Sequence, residues 1–172
     1  MIYIGIDPGK TGGMASVNDE GTVLRVDPMP ITPQDVYLAL LAHKGPIDHD
    51  PTCVSFSVVG GIPCNCSRTR YQASKCILEY VSASPQMGVV SAFTFGRGYG
   101  NLEAFLVAAD IPYDQTTPAK WQDVMQCRSR GDKNVTKARA QQLFPTFKVT
   151  HAIADALLIA EYCRRKERGV LK

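Results

Sequence analysis

Residues 1–13 read MIYIGIDPGKTGG, and this stretch decides the architecture. Ile2, Tyr3, Ile4 and Ile6 are apolar or aromatic and β-prone, with Gly5 the only small residue among them. A run that is apolar in both alternating positions suits a strand buried on both faces at the centre of a sheet. Asp7 stands where that run ends. Pro8 and Gly9 break the strand, and Gly12-Gly13 turn the chain into a second β-prone run, Met14 to Val17. A carboxylate at the end of a buried central strand is costly to desolvate unless something pairs with it. A divalent metal ion is the obvious partner, and the rest of the chain is read for the other ligands.

Outward from this stretch, Met14 to Val17 and Thr22 to Val26 flank the polar turn Asn18-Asp19-Glu20-Gly21 and predict a hairpin, so the chain opens with three strands that are antiparallel at least in part. Pro28, Pro30 and Pro33 make an extended connection to a helix over Gln34 to His43, stopped by Gly45-Pro46. Residues 45–75 read as an excursion: a strand from Val54 to Val59, ended by Gly60-Gly61-Ile62-Pro63, then a polar loop or hairpin from Cys64 to Lys75. Cys76 to Val81 predicts a strand with Glu79 in its middle. Glu79 is the only acid between Asp50 and Glu103 and is poorly placed for mere solubility, although a solvated sheet face would also accept it.

A long helix is expected from Ser91 to Ala109. Gly96, Gly98 and Gly100 within it cost about 1 kcal/mol each relative to alanine, which makes sense if a protein or nucleic-acid backbone approaches closely. GRGYG lacks the spacing of a dinucleotide-binding fingerprint. Ile111-Pro112-Tyr113 opens a short strand, and Thr117-Pro118 starts a helix whose Trp121, Val124 and Met125 form an apolar side that reads as core. A basic loop, Arg128 to Lys133, leads into a helix over Asn134 to Leu143 with Lys137 and Arg139 exposed. The last element is an Ala/Leu-rich helix from Thr150 to Tyr162. Thr150 is its N-cap, and Arg164-Arg165-Lys166 complement the dipole at its far end. His151 and Asp155, four residues apart, share one face of it.

The 172 residues, 45% hydrophobic and 20% charged, fit one folded domain. No apolar run approaches a membrane span and the N-terminus has no signal-peptide pattern, so a soluble intracellular protein is expected. Net charge is +3, but unevenly spread: residues 1–90 carry 6 Lys/Arg against 8 Asp/Glu, and residues 91–172 carry 13 against 8. The basic half fits a polyanionic partner such as nucleic acid, or an ordinary solvated surface. Cys53, Cys64, Cys66 and Cys76 follow C-x10-C-x-C-x9-C, unlike the paired spacing of a zinc site. With Cys127 and Cys163 they are expected to be reduced, partly buried thiols.

Asp7, Glu79, His151 and Asp155 thus offer four candidate ligands on three elements, mostly oxygen donors. Hard oxygen ligands favour Mg²⁺ or Mn²⁺. A carboxylate-rich cluster suits two-metal phosphodiester hydrolysis, in which one ion activates water and the other steadies the leaving oxygen. His151 fits a ligand, a proton carrier or a simple helix-start residue. Asp155, flanked by Ala154, Ala156, Leu157 and Leu158, has little reason to sit there without a partner.

GIDPGKTGG, LEYVSASPQMGVVSAFTFGRGYG, IPYDQTTPAKWQ, KARAQQLFP and HAIADALLIAEYCRR, in this order, resemble the RuvC-type Holliday-junction resolvases of the RNase H-like superfamily, particularly the phage and chloroplast branch. The pieces span most of the chain apart from about 30 residues in the middle. The resemblance implies a single RNase H-like α/β domain over 1–172, with a mixed central sheet flanked by helices; the excursion at 45–75 departs from the family's pattern and lengthens the gap between Asp7 and Glu79. It implies a homodimeric, Mg²⁺-dependent crossover junction endodeoxyribonuclease that cuts four-way DNA junctions, located in the cytoplasm of a bacterial host if phage-encoded. Asp7, Glu79, His151 and Asp155 would be its catalytic, metal-binding residues, with two ions per site. Many RuvC-type enzymes end in two aspartates three residues apart, whereas position 152 here is Ala and the pattern follows the His-x3-acid form.

Junction recognition reads backbone shape, so phosphate contacts from Arg97, Lys120, Arg128, Arg130, Lys133 and Lys137 are expected, with strong salt dependence. Phe93, Phe95 and Tyr99 fit either a wedge at the junction centre or packing in a core or dimer interface. The alternatives are another nuclease or transposase of the superfamily, a catalytically inactive junction-binding protein, and an actin-like ATPase, for which the chain is short and lacks a second phosphate-binding glycine turn.

Overall fold

The computed structural model describes residues 1–45, 73–129 and 131–171. The strand expected at Val54–Val59, together with Cys53, Cys64 and Cys66, lies outside them. The described chain runs β1 (Ile2–Asp7), β2 (Gly13–Val17), β3 (Val23–Pro28), α1 (Pro33–Lys44), β4 (Ser74–Glu79), α2 (Val89–Ala108), β5 (Tyr113–Thr116), α3 (Pro118–Val124), α4 (Lys133–Leu143) and α5 (His151–Glu167).

The five strands form one mixed sheet in the order β3-β2-β1-β4-β5, with β1 central. The opening hairpin pairs antiparallel, β1 with β2 and β2 with β3. β4 then adds parallel to β1, and β5 parallel to β4. The expected mixed α/β architecture is therefore present, and β1 is buried along nearly its whole length.

Side-chain alternation divides the core into two layers. Ile2, Ile4, Ile6, Met14, Cys76 and Leu78 point to one face, against Leu40 of α1 and Leu102 and Leu106 of α2. Tyr3, Ala15, Val17 and Ile77 point to the other, against α5, Trp121 and Met125. Each fully buried Ile or Leu contributes about 1.5–3 kcal/mol of apolar transfer. The α5 layer is the tighter. A Cβ added at Gly5 would stand 2.2 Å from the Ala160 nitrogen and 2.4 Å from the Ala156 oxygen, so α5 lies directly on the β1 backbone.

On the α1 side, Thr32 caps the helix by accepting from the Asp35 amide at 3.1 Å, with Pro33 in the first turn. Buried His43 ties α1 to the hairpin. Its Nδ1 is 3.0 Å from Ser16 Oγ, and its Nε2 lies 3.2 Å from Asp27 Oδ2, off the line of a good hydrogen bond.

Several local expectations are corrected. β4 ends at Glu79, so that residue closes the strand rather than occupying its middle, and Tyr80 is half exposed. Glu79 is buried, which removes the solvated-face reading. Thr150 holds the N-cap position of α5 but makes no side-chain capping bond. Arg139 is turned inward, donating from Nε to the Met125 carbonyl at 2.8 Å. Among the described residues nothing lies within 4 Å of a Cβ placed at Gly96, Gly98 or Gly100. Among the described residues, Cys76, Cys127 and Cys163 are free and buried, and no helix is long and apolar enough to cross a membrane.

Candidate active site

The same alternation that builds the core places the acids. Tyr3, Gly5 and Asp7 share the α5 face of β1, and Ile77 and Glu79 share that face of β4. The parallel register pairs Gly5 with Ile77 and Ile6 with Leu78, so continuing it by one residue sets Asp7 beside Glu79 at the strand ends. α5 crosses this face and brings Asp155. The loop after β1 folds back with no side chain in the way: a Cβ at Gly12 would stand 2.1 Å from the Asp7 carbonyl oxygen and 3.0 Å from its carboxyl carbon.

Asp7 and Glu79 act on each other, and both feel the charge of Asp155. Burial, then the charges of Glu79 and Asp155, push Asp7 up to about 8, while Lys133 pulls it down. Burial also raises Glu79, against a hydrogen bond from Trp121. Burial raises Asp155 too, opposed by the Thr136 hydroxyl, the Lys133 ammonium and His151. Asp155 Oδ1 is buried without a hydrogen-bond partner. Like charges gathered in a desolvated spot raise one another's proton affinity, and a cation among them reverses that effect. The donor set therefore fits a hard divalent ion. Among the described residues, no three His, Cys, Asp or Glu side chains form a ready-made cage for one.

His151 opens α5 one turn before Asp155, but its ring is exposed. Arg97, Lys120, Arg128 and Lys133 are exposed and Lys137 half-buried; Arg130 lies outside the described residues. Of these cations, Lys133 looks at the carboxylates, standing close enough to act on both Asp7 and Asp155. Arg128 is engaged by Asp123 through two hydrogen bonds. Phe93 is exposed, whereas Phe95 and Tyr99 are half-buried and tilted against each other at 6.1 Å. Phe95 also flanks Gly9, its ring edge 3.9 Å from where a Cβ would be.

Three neighbours of the acids were not legible beforehand as parts of the site. Trp121 donates from Nε1 to Glu79 Oε1 at 2.7 Å, the Tyr99 hydroxyl donates to the Glu79 carbonyl at 3.3 Å, and buried Thr136 faces Asp155. The indole N–H of Trp121 was the one available signal, because a buried indole needs an acceptor.

No protein-family model matches the sequence, and no curated protein does so significantly. Solved structures do match. The structure of Thermus thermophilus RuvC in complex with a Holliday junction substrate superposes with a TM-score of 0.63 at 16% identity, over 100% of this chain and 98% of that one. A second Thermus thermophilus RuvC structure gives 0.60 at 16% identity, over 100% and 99%. The chain has a RuvC-like fold. The mixed central sheet flanked by helices expected from the sequence is thereby established.

Proposed function

We propose that this chain is a structure-specific endonuclease that resolves four-way DNA junctions by metal-dependent phosphodiester hydrolysis. What supports the reading is the placement of Asp7 and Glu79 side by side at the ends of β1 and β4, both feeling the charge of Asp155 on α5, with Asp155 Oδ1 buried and orphaned. The junction bound to the similarly folded Thermus thermophilus protein supports the substrate class.

Asp7, Glu79 and Asp155 would hold Mg²⁺ or Mn²⁺, two ions per site, with water and a DNA phosphate completing the coordination. Such ions supply an activated water and stabilise the departing oxygen. The protein's own groups do the rest. Gly9 and Gly12 keep the approach to Asp7 clear of side chains. Lys133, at the start of α4, offers its ammonium to the phosphate while tempering the acids. His151, exposed one turn from Asp155, serves as an ion ligand or carries a proton to or from the reacting oxygens. Arg97, Lys120 and Lys137 would bind phosphates further out.

The active unit would be a homodimer. Helical spacing puts Val89, Phe93, Gly96, Gly100 and Val107 on one side of α2, and the three large residues are exposed by 85%, 67% and 70%. With none of the described residues over Gly96 or Gly100, a second copy of α2 can approach closely along a two-fold axis.

The test is cleavage of a synthetic four-way junction against plain duplex in Mg²⁺. Wild type cuts the junction, and Asp7→Asn lowers the rate about a hundredfold or more while junction binding in EDTA survives. Equal cutting of duplex would point to a different nuclease, and cutting untouched by Asp7→Asn would remove the assigned site.

A further inference from the structure

We infer that Trp121 is a positioning residue that makes Glu79 a one-oxygen ligand and thereby favours Mg²⁺ over Ca²⁺. The inference rests on the proposed metal site and concerns how that site selects its ion.

Glu79 is held from three sides. The fully buried indole of Trp121 takes up Oε1 at 2.7 Å. The Tyr99 hydroxyl reaches the Glu79 carbonyl from α2 at 3.3 Å. The next amide, of Tyr80, donates to the Thr116 carbonyl at 2.7 Å and fixes the end of β4 against β5. An indole N–H is a donor only, so when buried it requires an acceptor, here the Glu79 carboxylate. A bond from N–H to an ionised oxygen is among the stronger hydrogen bonds, and here it is shielded from water.

Trp121 itself has no room to move. It packs with Met125, Ala140 and Leu157 in the α5 layer, and its backbone carbonyl accepts from Met125 at 2.9 Å. One acceptor site of Oε1 is thus filled and its position fixed before any ion arrives, which leaves Oε2 the freer oxygen. Mg²⁺ takes one oxygen from each carboxylate in a strict octahedron, whereas Ca²⁺ commonly takes both. A carboxylate with one oxygen already engaged suits the first ion and handicaps the second.

The sequence contains one tryptophan, so the folded chain gives one indole N–H resonance. In the full-length protein that resonance is expected to move saturably as Mg²⁺ is added. Glu79→Gln should shift it before any ion is added and abolish the response. Calorimetry on Trp121→Phe, which keeps the ring and loses the donor, should show Mg²⁺ affinity lowered about 10- to 100-fold, a smaller loss for Ca²⁺, and unchanged junction binding in EDTA. A folded Trp121→Phe with the wild-type Mg²⁺ affinity and the wild-type Mg²⁺/Ca²⁺ ratio would overturn the inference. So would an indole resonance indifferent to Glu79→Gln, a result that does not depend on the Phe variant folding. Wild type that binds no Mg²⁺ at all would instead overturn the metal-site reading beneath it.

Discussion

On one side of the sheet, α5 lies against β1 so closely that Gly5 has no space for a methyl group. On the other side, the first half of α2 is exposed, with glycines that face none of the described residues and Val89 and Phe93 in the open. The same residue type serves opposite ends. Gly5 is needed because a backbone is already there, and Gly96 and Gly100 leave room for one that is not part of this chain. The closed face carries Asp7, Glu79 and Asp155, and the open face is the one proposed above for assembly.

The sharpest way to break this contrast is to add a single methyl group on each side. Gly5→Ala should cost about 3 kcal/mol or more in urea unfolding, because the clash is with the α5 backbone rather than a movable side chain. A near-neutral Gly5→Ala would mean that α5 is not seated as described. Gly100→Ala should instead leave the monomer unharmed or stabilise it by up to about 1 kcal/mol.

A second measurement probes the clasp under the α1 side. Burial, opposed by Asp27 and assisted by Arg25, lowers His43 to about 4 from an ordinary value of 6.5. The folded state therefore keeps the ring neutral, while the unfolded chain protonates it below 6.5. The stability that His43 lends is present above that value and is lost as pH falls toward 4, by an amount on the order of 3 kcal/mol. Asp7 acts with the opposite sign over the same range, since its raised value lets the folded state gain protons first. The informative quantity is thus the difference between wild type and His43→Gln. That difference should shrink as pH drops from 6.5 to 4, and a constant difference would show that the ring is not buried neutral.

Assembly comes next in size. Replacing Gly96 and Gly100 together with Leu should weaken dimerisation at least about tenfold, or roughly 1.4 kcal/mol, in sedimentation equilibrium, with secondary structure unchanged. Unaltered association would move the dimer contact away from α2.

The smallest effect concerns two cations near the closed face. Lys133→Ala should lower the salt slope of junction binding by about one. Arg128→Ala should change it less, because Asp123 already engages that guanidinium. Equal slopes for the two variants would erase the distinction.

Much of this was legible in the chain itself. An apolar run that ends in Asp7, and an Asp isolated among alanines and leucines at 155, announce their positions because burying a charge demands a reason. The element order and the glycine break after β1 were legible for the same kind of local cause. Glu79 was legible as an oddity but misplaced within its strand, since periodicity gives the face and not the end. The Trp121 and Tyr99 contacts to Glu79, and Thr136 near Asp155, depend on how helices far apart in sequence cross the sheet, which no local pattern encodes. Arg139 looked solvated because its partner is a backbone carbonyl, a group every residue possesses.

The contact between β1 and α5 joins the first described strand to the last described helix. During synthesis, Asp7 and Glu79 leave the ribosome long before Asp155 does. The nuclease centre proposed here would accordingly not exist on a nascent or C-terminally clipped chain, and a half-made copy could sit beside DNA without harming it.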